Sequence, residues 1–313
     1  MQNPPSPKQQ NWFVRRANKD SVPEFTVCGY EFTEEKTEDS LGITEGFSPY
    51  LNFRRAFIPE AGHYWLSRDY AGQELKILAN LSGEKAWINA FLNNEDVHKA
   101  TAVAIWGEEN FSPAKRKAAK TVNFGIIYGT SAKSLAESLE ITEKEAETII
   151  SDFFKSLPSI KRYLDGCERA AKENREISNI YGRKRRMHNF INFYGELTPS
   201  GARRSYNHPI QSLGAEILKV ALINIYNNLL TNPAYAGKVY FMNTIHDEIN
   251  LSVEHSVINE VTKLAGDLME HKIKGMPVTI VTDIEIGTSM GLLWKFEQNL
   301  ETLELTPKYV EKF

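Results

Sequence analysis

From Asp96 to Arg175 the apolar spacing of this chain is helical almost without a break, and β-rich runs lie on both sides of that block. On its N-terminal side HYWLSRDY (His63–Tyr70) reads as a buried strand after the turn signal PEAG. A helix is predicted from Glu74, with Leu75, Ile77, Leu78 and Leu81 on its apolar face and Gly83 near its end. Within the block, Ser112-Pro113 marks a helix start and Thr142-x-x-Glu145 forms a capping box before Ile149, Ile150, Phe153 and Phe154, while Pro158 interrupts that pattern. Ile210–Leu230 predicts one more long helix. The period then changes again: Val239–Val253 predicts a hairpin around a polar turn, Val257–His271 a helix and Val278–Ile286 a strand. Strand, helical block, hairpin, helix and strand in that order predict an α+β fold, a small antiparallel sheet carrying a helical insertion. Residues 1–50 show little periodicity beyond a strand-like run at Phe25–Phe32, and the acidic stretch Glu31–Asp39 reads as a solvated loop.

Charge narrows the function classes. With 37 Lys and Arg against 40 Asp and Glu, the net charge of −3 excludes a uniformly basic nucleic-acid coat but leaves room for a local basic groove. Cys28 and Cys167 form no C-x-x-C pair, which argues against both a disulfide framework and a cysteine zinc site. The longest apolar run, near Ile217–Leu230, is broken by Lys219, Asn224, Asn227 and Asn228, and the opening MQNPPSPKQQNW has no apolar signal core. A soluble, reduced, cytoplasmic protein is expected, without a membrane partner.

Two aspartates and one helix face carry the chemistry. Asp69 ends a predicted strand and Asp247 sits in the turn of the predicted hairpin; on neighbouring strands the two could hold divalent cations, although an Asp at a strand end more often serves as a turn residue or cap. Arg116, Lys120, Phe124 and Tyr128 recur every four residues, so they drift only about 120° around a helix and span about 18 Å, the length of a nucleoside triphosphate. Cations at one end and rings at the other match phosphates and a base. The same spacing fits a solvated basic stripe running into a core stripe, and spacing alone favours that second reading.

KRKAAKTVNFGIIYG (Lys115–Gly129) resembles the R-x-x-x-K-x-x-x-F-G-x-x-Y-G signature of family A DNA polymerases. DYAGQEL (Asp69–Leu75) and IHDE (Ile245–Glu248) resemble two further motifs of that family, and DVHKATA (Asp96–Ala102), YGRKRR (Tyr181–Arg186) and RRSYNHPIQSLGAEILK (Arg203–Lys219) follow its order between Phe53 and Trp294. The resemblance implies a right-hand polymerase: a palm with an antiparallel sheet at 53–107 and 201–313, and helical fingers inserted at 108–200. It implies Asp69 and Asp247 as ligands of two Mg²⁺ ions (Mn²⁺ as a substitute) with the Tyr70 carbonyl assisting, and Glu248 as an accessory carboxylate at the primer end. Arg116, Lys120 and His98 would bind the triphosphate of a dNTP, with Lys120 neutralising charge on the leaving group; Phe124 and Tyr128 would pack on its sugar and base. Arg203, Asn207, Gln211 and His246 would contact primer–template DNA, and Arg183, in the basic run to Arg186, its phosphates, unless that run is a solvated surface. In the family the residue matching Glu74 pairs with that matching Tyr128 and excludes a 2′-hydroxyl, which implies DNA rather than RNA synthesis; Phe124, where some relatives carry Tyr, implies discrimination against dideoxynucleotides.

The sequence also departs from the family pattern. Ala71-Gly72-Gln73 stands in place of S-Q-I, a variation of some phage-type members that would place the protein in a host cytoplasm, and Gln73 has no evident role. MQNPP looks like the end of the family's N-L-Q-N-I-P stretch, with no thumb, T-G-R motif or exonuclease before it, and residues 10–50 read as an insertion, a docking surface or a passive loop. Residues 1–52 are thus expected to be a motif remnant plus that insertion. The expected protein is the catalytic half of a split polymerase completed by a second polypeptide bearing the thumb; a truncated fragment and a non-catalytic polymerase-like subunit binding DNA or protein are the alternatives.

Overall fold

The computed structural model describes residues 24–33, 53–270, 273 and 275–308. The opening MQNPP, the rest of the stretch 10–50 and the end of the predicted Val257–His271 helix lie outside the described residues. Hairpin β1 (Glu24–Val27)–β2 (Tyr30–Thr33), hairpin β4 (Glu176–Ser178)–β5 (Lys184–Arg186) and one six-stranded sheet contain the described strands. The sheet runs in the order β10 (Leu305–Pro307), β9 (Leu292–Gln298), β8 (Thr282–Ser289), β3 (His63–Tyr70), β7 (Glu248–Glu254), β6 (Val239–Ile245), antiparallel at every pairing. The helices are α1 (Gln73–Ser82), α2 (Lys85–Leu92), α3 (Val97–Trp106), α4 (Pro113–Tyr128), α5 (Ala132–Leu139), α6 (Glu143–Ser156), α7 (Pro158–Asn174), α8 (Pro199–Ile225) and α9 (Ile258–Met269). Two compact units divide the chain: a sheet unit of residues up to Ala71, Lys219–Glu270 and Val281 onward, and a helical unit of Gly72–Leu218 with 271–280. The α+β class expected from the sequence is what the fold shows.

In the sheet unit, alternation along β3 sends Trp65, Ser67 and Asp69 to one face and Leu66, Arg68 and Tyr70 to the other. The second face is covered by α9, whose Ile258, Val261, Thr262, Ala265, Gly266 and Met269 are buried at helical spacing. Tyr70 Oη donates to the Met269 carbonyl at 2.8 Å, and the buried Arg68 guanidinium pairs with Glu270 at 3.2 Å. On the first face Trp65 packs with Ile245 and Met290, and its indole N–H donates to Asn250 Oδ1 at 2.6 Å. The run Phe25–Phe32 is a hairpin instead of one strand, because Cys28 and Gly29 turn it with φ of 51° and 82°. Glu31–Thr33, read as solvated loop, belong to β2, and the hairpin docks on the unit through buried Val27 and through Tyr30 against Phe296. The last predicted strand starts at Thr282 rather than Val278, and β9 and β10 extend the sheet beyond it.

The helical unit starts and stops where its caps dictate. Ser112 Oγ accepts from the Lys115 N–H with Pro113 in the first turn, Thr142 and Glu145 form the expected capping box, and Pro158 begins α7. Trp87 and Phe153 meet edge to face in its core, and the Trp87 indole donates to Thr101 at 3.0 Å. Val278 stays out of the sheet because the Asn80 side chain takes both of its backbone groups, at 2.9 and 3.0 Å. Helix α8 begins at Pro199, not Ile210; its first turns carry exposed Arg203 and Arg204 and an internal Pro209, which mask the helical period. Among the described residues no helix is long and apolar enough to cross a membrane.

Candidate active site

Cross-strand register builds an acidic ledge in the sheet unit. Asp69 stands opposite Glu248 of β7 on one side and Asp283 of β8 on the other, and Ser67, two residues back on the same face, stands opposite Asn250 and Glu285. Asp247 and His246 form the turn joining β6 and β7, and the Asp247 carbonyl accepts from the Tyr70 N–H at 3.2 Å, which ties the turn to the end of β3. His246 holds a left-handed φ of 54°, a conformation costly for a side chain with a Cβ. Ser67 Oγ donates to Glu248 at 2.6 Å, and Lys295 lies 3.7 Å from Asp283 and 3.9 Å from Glu285.

Like charges directly opposite one another repel, and the acidity of the ledge records it. Desolvation first, then repulsion by Asp247, Glu248, Glu285 and Asp283, pushes the Asp69 carboxyl up to about 7. Asp247 is raised by burial and by Glu248, against the pull of its own backbone N–H and of His246. Glu285 is also raised, by burial, although Lys295 opposes the shift. Asp283 and Glu285 escape a reading of the sequence because D-I-E-I looks like any alternating strand until its register against Asp69 is known. Among the described residues no three His, Cys, Asp or Glu side chains converge as a ready-made metal cage.

The helical unit gathers a second set. Tyr128 Oη, at the C-terminal end of α4, donates to Glu74 Oε2 of α1 at 2.7 Å. Near the N-terminal end of α4, Arg116 pairs with Asp96, which also caps α3 by accepting from His98 N at 2.8 Å. His98 and Phe124 rings lie 5.9 Å apart, and Lys120 is exposed on the same helix. Burial, with help from Lys120 and Arg116 and against Asp96, pushes the His98 imidazole down to about 4. Glu74 with Tyr128, His98 with Phe124, and Arg116 with Asp96 thus form three contact pairs between α4 and the residues of α1 and α3 or its cap, with Lys120 on α4 between Arg116 and Phe124 in sequence. Asp96, which opens the DVHKATA stretch, gains a role here as the cap of α3 and the partner of Arg116; its place before a helix rich in small and apolar residues is the sequence signal for the cap.

Other expected positions fall along α8 and its neighbours. Arg203, Asn207 and Gln211 recur every fourth residue, with Arg203 and Gln211 exposed and Asn207 half-buried. A Cβ on Gly129, which has φ of 65°, would lie 2.1 Å from Tyr206 Oη and 2.4 Å from Arg203 Cγ, so only glycine lets the end of α4 meet α8. Gln73 gains a place: it is buried, and its Oε1 would lie 2.4 Å from a Cβ on Gly214 of α8. Arg183 is held by Glu216, Lys184 by Glu176 at 2.6 Å, and Arg185 lies over the Phe190 ring at 5.9 Å, so most of the basic run is engaged within the chain. His246 is exposed on the sheet unit.

Comparison with known proteins identifies the family. The family model for DNA polymerase family A covers residues 47–292. DNA polymerase I of Caldicellulosiruptor bescii is 33% identical over 236 residues, 75% of this chain and 27% of that protein. The thermostable DNA polymerase I of Thermus thermophilus is 31% identical over 243 residues, 77% of this chain and 28% of that protein. Among solved structures, the POL domain of Pol1 from M. smegmatis, in complex with DNA primer-template and dNTP, aligns at a TM-score of 0.68 and 25% identity over 84% of this chain and 46% of that one. The chain spans about a quarter of the length of the curated relatives it matches.

Proposed function

Because this chain belongs to DNA polymerase family A, we propose that it extends a primer 3′-hydroxyl with dNTPs under the direction of a DNA template. The observation that carries the reading is the acidic ledge, where Asp69 is flanked by Glu248 and Asp283 and tied to the Asp247 turn. Asp69 and Asp247 offer hard oxygen donors, and Mg²⁺ takes one or two carboxylates and fills its shell with water and substrate phosphates, so a full protein cage is not required. When bound there, with the Tyr70 carbonyl assisting, two such ions (Mn²⁺ as a substitute) would lower the acidity barrier of the primer hydroxyl and neutralise the leaving pyrophosphate.

The side chains of the helical unit, with Glu248 and His246 of the sheet unit, supply the rest of this reading. Arg116 and Lys120 meet the triphosphate, and Lys120 offsets charge that builds on the leaving group. Phe124 and Tyr128 support the sugar and base. Glu74, held by Tyr128, occupies the space a 2′-hydroxyl needs and so favours deoxynucleotides. Glu248 steadies the primer end. Arg203, Asn207 and Gln211 of α8, with His246 and the basic segment from Arg183, contact the primer–template by hydrogen bonds and phosphate pairing. The palm at 53–107 and 201–313 and the fingers at 108–200 are part of the same proposal.

Primer extension with Mg²⁺ and dNTPs tests it, run with the chain alone and with a thumb-bearing polypeptide of the family added. Asp69→Ala and Asp247→Ala should each lower the rate at least about a thousandfold, a loss in the range of a removed electrostatic catalyst. Unaltered synthesis by both variants would remove these two aspartates from the reaction, and no synthesis under either condition would leave a DNA-binding subunit as the better description.

A further inference from the structure

Asn123 is fully buried on α4, between Val122 and Phe124, and a buried amide inside an apolar helix face costs stability unless it is hydrogen-bonded. Its Nδ2 lies 2.9 Å from His98 Nδ1, and its Oδ1 has no hydrogen-bond partner among the described residues. An amide nitrogen only donates, so Nδ1 must accept and the imidazole proton is left on Nε2. The groups around the ring are Asp96 on its own helix and Arg116 and Lys120 on α4; burial and the two cations hold the ring neutral, while Asp96 opposes them.

We propose that Asn123 is a positioning residue that fixes His98 in the Nε2–H form, so that a neutral imidazole presents one aimed N–H donor to a nucleotide phosphate. The proposal rests on the polymerase reading for the identity of the ligand, and on the structure alone for the tautomer. A neutral donor beside Arg116 and Lys120 adds a directed hydrogen bond without a third positive charge, which favours a phosphate held in one orientation over any anion. Asn123 touches no substrate in this arrangement and acts through His98.

Nitrogen-15 NMR of the full chain with labelled histidine tests the first part, with the His98 signals assigned from His98→Gln. An unprotonated Nδ1 and protonated Nε2 at neutral pH are expected; a proton on Nδ1, or an even mixture of tautomers, overturns the proposal. Asn123→Asp, nearly the same size, replaces the donor by an acceptor and should turn His98 into an imidazolium, which a packing role for Asn123 does not foresee. Inorganic tripolyphosphate, titrated into the same sample, should move the Nε2 signal, and an unmoved signal also overturns it. In primer extension Asn123→Asp should add a new limb to the pH profile of the dNTP KM, and Asn123→Leu should raise that KM about tenfold, the loss of one charge-assisted bond, with kcat less affected. An unchanged KM in an active enzyme sinks the link to phosphate. Absence of any synthesis counts against the polymerase reading instead, because the NMR outcomes stand without it.

Discussion

Single residues set both the chemistry and its limits. Asp69 has a carboxyl raised to about 7 by burial and by four other acids, the reverse of the usual salt-bridged aspartate. The folded state therefore binds the Asp69 proton more tightly than the unfolded chain does. Its contribution to stability is fully present below the unfolded value near 4 and is lost as pH rises to about 7. Thermal melts in chelator should show this decline between those values, and Asp69→Asn should flatten it; a melt with the same slope in the variant would assign the decline elsewhere. Phe124 makes a sharper functional claim. If its ring packs on the nucleotide sugar, Phe124→Tyr should greatly ease incorporation of dideoxynucleotides, read from the ratio of chain-terminated to extended primer. An unchanged ratio would mean that α4 does not face the nucleotide.

At the scale of elements, helix ends were legible because they are local chemistry. Ser112-Pro113, the Thr142/Glu145 box and Pro158 act within one turn, and each fixes a boundary that the structure keeps. The start of α8 was hidden, since a helix whose first turns are polar and contain Pro209 shows no apolar period. The strand expected at Val278 fails for a different reason: Asn80, nearly two hundred residues away in sequence, supplies the hydrogen bonds a strand neighbour would have given. Close approach between elements is equally invisible in one dimension. Gly129→Ala puts a Cβ 2.1 Å from Tyr206 Oη on a backbone with φ of 65°, and should cost more than about 1 kcal/mol in denaturant unfolding while also displacing Arg203. A variant as stable as the wild type would mean that α4 and α8 give way there freely.

For the whole molecule, two compact units share one chain, and each carries one half of the proposed chemistry. The acids of the ledge collect on the sheet unit, while Arg116, Lys120, Phe124 and Tyr128 lie on the helical unit, so the net charge of −3 conceals an uneven placing of charge along the chain. The family motifs, the helix period and the caps could be read directly from the amino acids, because they depend on residues a few positions apart. So could the Glu74–Tyr128 pairing, through resemblance; the proposed roles of Asp69, Asp247, Arg116 and Lys120 rest on that same resemblance. Tertiary structure alone decided that Asp283 and Glu285 join Asp69, that Arg116 rests on Asp96, and that Asn123 faces His98. Each of those depends on strand register or helix packing, and neither leaves a local trace: a shift of one residue in β8 would turn Asp283 to the opposite face with the same sequence.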